Sequence, residues 1–184
     1  MWHKLALVIL VFLSVSVPSR AQAAWPTLSE QDLPAGVWIA DTKRMSNEAI
    51  CANDSECLAR FEAAGRLDGV LTLFTDSANP GRVFIVQDVE VFVTAQDAAD
   101  ALALDCMFFQ FTPQLVSLPT LGPGARLCLL PATPLPTGYF QTWISFARGR
   151  MHVTLATWGN VTSQPISQRD LLALASKLYK QIGE

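Results

Sequence analysis

Between residues 139 and 159 ("YFQTWISFARGRMHVTLATWG") the side chains alternate with period two. Tyr139, Trp143, His152 and Trp158 fall on one side, and Phe140, Ile144, Phe146, Val153 and Leu155 on the other. That pattern predicts a β-hairpin. With Arg148-Gly149 as the turn, Ile144 faces Val153, Trp143 faces Thr154 and Tyr139 faces Trp158; a turn at Gly149-Arg150 shifts the partners but keeps both faces. An earlier hairpin is predicted from "GVLTLFTD" (69–76) and "RVFIVQDVEVFV" (82–93) around the turn signal "SANPG". In its second strand Val83, Ile85, Val89, Val91 and Val93 share one side, and Phe84, Asp88, Glu90 and Phe92 the other.

Helical spacing follows each hairpin. Thr94 with Asp97 three residues on opens a helix whose Ala95, Ala98, Ala99, Leu102, Ala103 and Cys106 form a stripe. Ser167 with Asp170 opens another, with Leu171, Leu174, Ala175, Leu178 and Ile182 on one face. Short helices are expected at 47–52 and 55–65, the second capped by Asp54 and stopped near Gly65. Residues 24–35 read as a lead-in strap. Between 113 and 138 the prolines at 113, 119, 123, 131, 134 and 136 forbid a long helix, and "ARLCLL" (125–130) is a short strand candidate.

These elements define an α+β class: an antiparallel sheet of about five to six strands with two main amphipathic helices on one face. The order strand, strand, helix recurs in 69–110 and 139–183, which a β-β-α duplication would explain. The valine side of the first hairpin and the Ile144 side of the second then form one core. The opposite side is aromatic and mildly acidic.

The N-terminus changes the setting. A short basic start, an apolar run from Leu5 to Val17 and the small-residue site Ala21-Gln22-Ala23 read as a signal peptide over 1–23, leaving a single secreted α+β domain at 24–184. The run is shorter than the roughly 20 residues that span a bilayer, and no cysteine follows the cleavage site to carry a lipid. A secreted or periplasmic location with no membrane association after cleavage is expected. Removing Lys4 and Arg20 leaves 11 basic residues against 16 acidic ones, scattered singly apart from Lys43-Arg44 and Arg148/Arg150. Nucleic-acid binding, which rests on a basic stripe, is not expected.

Four cysteines, Cys51, Cys57, Cys106 and Cys128, lie in the exported part, an even number suited to an oxidising compartment. Four thiols allow three pairings; the sequence-local one, 51 with 57 and 106 with 128, is expected. No C-x-x-C spacing exists and His152 is remote, so the cysteines read as structural and no metal is expected.

The candidate ligand-binding residues are those of the outer face: Tyr139, Trp143, His152 and Trp158 from one hairpin, and Phe84, Asp88 and Glu90 from the other. Two uses compete for them. The face is either covered as a second small core, by the strap with Trp25 and Trp38 or by the Pro-rich segment, or open as a shallow cleft for an apolar or sugar-like ligand. Asp88 and Glu90 stand at i and i+2 of one strand, side by side, which suits acid–base hydrolysis poorly without a channel to separate them. Leu121-Gly122-Pro123-Gly124 lacks the Lys-Ser/Thr of a phosphate loop, Asp76-Ser77-Ala78-Asn79 lacks calcium-loop spacing, and no Gly-x-Ser-x-Gly elbow occurs. No catalytic residue and no cofactor is expected. The favoured reading is an exported non-enzymatic binding or sensor-like domain for a small molecule, glycan or protein partner. The alternatives are a structural or accessory envelope protein without a ligand, or a weak hydrolase.

Four segments, "GRLDGVLTLF", "VFIVQDVEVFVTAQDAADAL", "ISFARGRMHVTLATWG" and "DLLALASKLYKQI", are together similar to secreted bacterial extracytoplasmic sensor domains, such as the extracellular domain of PknH-type receptor kinases. The resemblance spans most of the chain beyond the leader. It implies a two-disulfide α+β domain with a cleft for an unidentified ligand and no catalysis. Neither a kinase nor a membrane helix is expected from this sequence, in departure from the receptor, so the resemblance implies neither signalling nor any site residue.

Overall fold

The computed structural model describes residues 25–34, 36, 38–78, 83–104, 114–129, 139–160 and 166–183; at 83–84, 139–141 and 158–160 only the backbone is described. The leader reading at 1–23 lies outside them. Seven strands form one antiparallel sheet: β1 (Trp38–Arg44), β2 (Arg66–Asp76), β3 (Val83–Phe92), β4 (Gln114–Ser117), β5 (Arg126–Leu129), β6 (Tyr139–Arg148) and β7 (Met151–Asn160). Their order across the sheet is β1-β2-β3-β7-β6-β5-β4. Among the described residues four α-helices accompany it: α1 (Asn47–Cys51), α2 (Ser55–Ala63), α3 (Ala95–Leu104) and α4 (Gln168–Gln181). The sheet thus has seven strands against the expected five to six, and the two not read from the sequence, β1 and β4, are short or polar edge elements. β1 ("WIADTKR") buries only Trp38, and β4 ("QLVS") is exposed throughout.

Both predicted hairpins form. In the second, Arg148 pairs with Met151, so the turn is Gly149-Arg150, and Ile144 faces Leu155 while Trp143 faces Ala156. Gly149 takes φ +56°, the left-handed conformation that glycine adopts without steric cost. The register joins the two hairpins through β3 and β7, with Val89 opposite Val153 and Glu90 opposite His152. Because directly opposed residues share a face, Ile85, Val89, Ile144, Phe146, Val153 and Leu155 line one side. All are buried there.

That core face is closed by α4, whose Leu171, Leu174, Ala175 and Leu178 are buried against it. Burial of each leucine is worth about 1.5–3 kcal/mol. The lead-in strap lies on the same face: Leu28, Leu33 and Trp38 join this core. A fully buried glutamine fixes it there. Gln87 accepts a hydrogen bond from the Leu28 backbone N–H at 2.9 Å and donates to the Pro26 carbonyl at 3.0 Å, satisfying both ends of its amide. The described part of the Pro-rich region adds Leu121, Ala125 and Leu127 to the same core.

Helix α3 packs on the other side of the sheet, against β3, β6 and β7. It buries Ala98 and Leu102, whereas Ala95, Ala99 and Ala103 of the expected stripe are exposed and Cys106 lies outside the described residues. Two main helices on one face is therefore corrected to one on each face. A symmetric β-β-α duplication is corrected with it. Two hairpins meeting through antiparallel β3 and β7 are related by an axis perpendicular to the sheet, which would carry both helices to the same side.

The Thr94–Asp97 capping box is present, with Thr94 N–H donating to Asp97 and Asp97 N–H to the Thr94 hydroxyl. Ser167 caps α4 through the Asp170 N–H, and Asp54 caps α2. Cys51 and Cys57 form a disulfide that ties α1 to α2. Cys128 is also disulfide-bonded; Cys106, its expected partner, lies outside the described residues.

Candidate functional site

The outer face is not uniform. At the end of the sheet nearest the Gly149 turn, α2 and α3 stand apart over it and leave a cleft of about 420 Å³. Its wall is apolar, from Phe61, Ala63 and Ala64 at the end of α2, Phe92 of β3, and Ala101 and Leu104 of α3; Asp97 and Asp100 add charge on the α3 side, and Arg66, Glu90 and His152 complete the lining. The size falls within the range of small-molecule sites.

Local chain geometry sets this floor. Gly65 ends the α2 turn at φ +72°, and a Cβ there would lie 2.6 Å from the Asp97 carboxylate, so glycine lets the end of α2 approach the start of α3. A bulge between Arg66 and Asp68 follows. Arg66 opposes Phe92, and its guanidinium lies over Gly69, which faces Glu90 across the ladder.

Arg66 is buried and bonded through all three nitrogens. Nε donates to Glu90 Oε1 at 2.7 Å, Nη1 to Asn47 Oδ1 at 2.5 Å and Nη2 to the Met45 carbonyl at 2.9 Å. Phe61 stacks on the guanidinium at 5.0 Å. The second oxygen of Glu90 pairs with His152 Nδ1 at 3.1 Å. Side-chain exposures of 2% for Arg66, 5% for His152 and 20% for Glu90 make this a buried triad in which Glu90 reaches the cleft. Burial pushes the Glu90 carboxyl up, but the hydrogen bonds from His152 and Arg66 outweigh it and hold the group below its ordinary value.

Of the sequence candidates, Glu90 and His152 are thus brought together in the cleft. Trp143 is elsewhere: 4% exposed, it packs with Cys128, Ala156 and Val86 as a small second core. Asp88 is half-buried, opposite Leu71 and Thr154, and does not line the cleft. The register sets Phe84 opposite Trp158 and Tyr139 opposite Asn160, with side chains outside the described residues. The strap, one expected cover for this face, lies on the opposite side of the sheet. Arg66, Asn47, Phe61, Phe92, Asp97, Asp100 and Leu104 were missed as site residues. Two signals stood among them: alternation already set Phe92 on the Glu90 side, and Arg66 is the one basic residue of β2.

Fold and cleft together define an α+β domain with helices on both faces of an antiparallel sheet and a ligand-sized recess over a buried Arg–Glu–His triad. No family model matches the chain, and no curated protein matches it. Among solved structures it is similar to the extracellular domain of PknH from Mycobacterium tuberculosis, at 12% identity over 81% of this chain and 84% of that one, with a TM-score of 0.47. That is a weak resemblance. Among the described residues no helix is long and apolar enough to cross a membrane, and no group of His, Cys, Asp and Glu is placed to hold a metal.

Proposed function

We propose that this chain is an exported, non-enzymatic domain that binds a small molecule in the cleft between α2 and α3. The observation that carries the reading is the floor of that cleft, where a buried Arg66–Glu90–His152 triad presents a partly exposed carboxylate at the base of an apolar recess. Isolated buried charges are costly, and these three are compensated within the triad, so the recess stays open without an unpaired floor. The Cys51–Cys57 disulfide fits the oxidising compartment of an exported protein, secreted or periplasmic. Within the outer face, binding is assigned to the Glu90–His152 end. The burial of Trp143 favours a second reading for the rest of that face, a structural role in an accessory envelope protein.

A thermal-shift screen of small aromatic and alkyl compounds tests the first reading, with Ala101→Trp as the variant that fills the cleft from α3. A compound present at about a hundredfold over its Kd stabilises by about 2.7 kcal/mol. Compounds that raise the Tm of the parent and leave Ala101→Trp unmoved are the expected result. Shifts that persist in Ala101→Trp, or no shift with any compound, would overturn the cleft as the site.

A further inference from the structure

We infer that the cleft selects organic cations, ligands with an apolar body and a single amine or quaternary ammonium group. The inference rests on the cleft being a ligand site and concerns the chemistry it accepts.

The one arginine in the lining is unavailable to a ligand. Each guanidinium nitrogen of Arg66 already donates to a protein oxygen, its plane is covered by Phe61, and its side chain is 2% exposed. Three of its five N–H donors are used in these bonds, and with the side chain 2% exposed under Phe61 an incoming carboxylate or phosphate has no open approach to the other two. The triad therefore offers no anion site, although it contains a cation.

The carboxylates are differently placed. Asp97 accepts a hydrogen bond from the Thr94 backbone N–H at 3.0 Å, and Asp100 accepts one from Gln96 at 2.8 Å. Both bonds come from neutral donors, and among the described residues neither aspartate takes part in an ion pair. Arg66 and Glu90 cancel, so by formal charge Asp97 and Asp100 leave the lining at net −2 with a neutral His152 and net −1 with a protonated one. Low-dielectric walls from Phe61, Phe92, Ala101 and Leu104 focus that field into the recess. An apolar tail then sits against the aromatic wall, and its ammonium head sits near Asp97 and Asp100.

Three probes of one shape and different charge decide it: phenylbutylammonium, phenylbutanol and phenylbutyrate, titrated calorimetrically at neutral pH and low salt. The ammonium should bind about tenfold tighter than the carboxylate, with the alcohol between. The double variant Asp97→Asn, Asp100→Asn removes both charges while the amide introduced at position 97 keeps an oxygen for the Thr94 cap. In it the three affinities should converge to within about twofold. Circular dichroism of that variant confirms that it is folded. A carboxylate that binds as tightly as the ammonium, or a charge preference that survives the double variant, overturns the inference. Equal binding of all three probes that is lost in Ala101→Trp overturns cation selection alone. No binding of any probe overturns the ligand site as well.

Discussion

Gly69 and Arg66 occupy one space: a Cβ added to Gly69 would lie 2.5 Å from Nη2 of the Arg66 guanidinium. A second contact, 3.3 Å to the Val89 carbonyl, is with backbone and cannot relax freely. Gly69→Ala should therefore displace the guanidinium from Glu90, Asn47 and Met45 and destabilise the fold by ~1–3 kcal/mol, the range for overpacking a filled site. Chemical denaturation measures it. A change within about 0.5 kcal/mol, the scale of ordinary surface substitutions, would show that Arg66 is not held over Gly69.

Removing the carboxylate should cost more than neutralising it. Glu90→Ala leaves the buried Arg66 charge without its partner, a defect of ~3–5 kcal/mol; Glu90→Gln, which keeps the shape and one acceptor, should lose less. The same group sets an acid dependence. Its folded pKa lies below the ordinary 4.5, so its contribution is present above that value and is lost as the pH falls through it towards the folded pKa. Asp32, held down first by its bond from Lys177, adds a loss of the same sign. Denaturation midpoints followed into acid should fall more steeply for the parent than for Glu90→Gln. Parallel slopes would remove Glu90 from the account.

Trp143→Ala should behave as a core truncation, with a loss of ~3–5 kcal/mol, because the ring is buried with Cys128 and Ala156. An exposed binding tryptophan would give a stable variant. Equilibrium unfolding separates the two outcomes, and a loss under about 1 kcal/mol would return Trp143 to the candidate ligand contacts.

Leu174→Ala should cost ~2–4 kcal/mol, since Leu174 is 5% exposed at the centre of the α4 stripe that closes the core face. Helix α4 lies across the sheet from the cleft, so probe affinity measured on the folded variant should stay within about twofold of the parent, as expected for sites without shared partners. A large affinity change would mean that the two faces are coupled through the sheet.

Local chemistry determined much of the fold from the sequence alone. Period-two alternation assigned both faces of β6 and β7, the Ser167 and Thr94 caps fixed two helix starts, and Gly65 marked the end of α2. Each signal is carried by a few neighbouring residues and survives any tertiary arrangement. β1 had no such signal, because "WIADTKR" is an edge strand with only Trp38 buried and its pairing with β2 replaces a hydrophobic pattern. The face on which α3 docks was also illegible. Its alanines allow several stripes, and the path from β3 to the outer side of the sheet selected Ala98 and Leu102.

The candidate site divided in the same way. Alternation put Glu90, His152 and Trp143 on one face, and the strand register places them there, but alternation carries no information about what stands above a face. Helices α2 and α3 decided that, opening a recess over Glu90 and His152, while Trp143 closed on Cys128 and Ala156. Arg66 joined Glu90 only because a bulge and an unsubstituted Gly69 turned its side chain across the ladder. Residues 24 positions apart in the chain meet there, and a contact of that separation is made by strand pairing and leaves no local pattern to read.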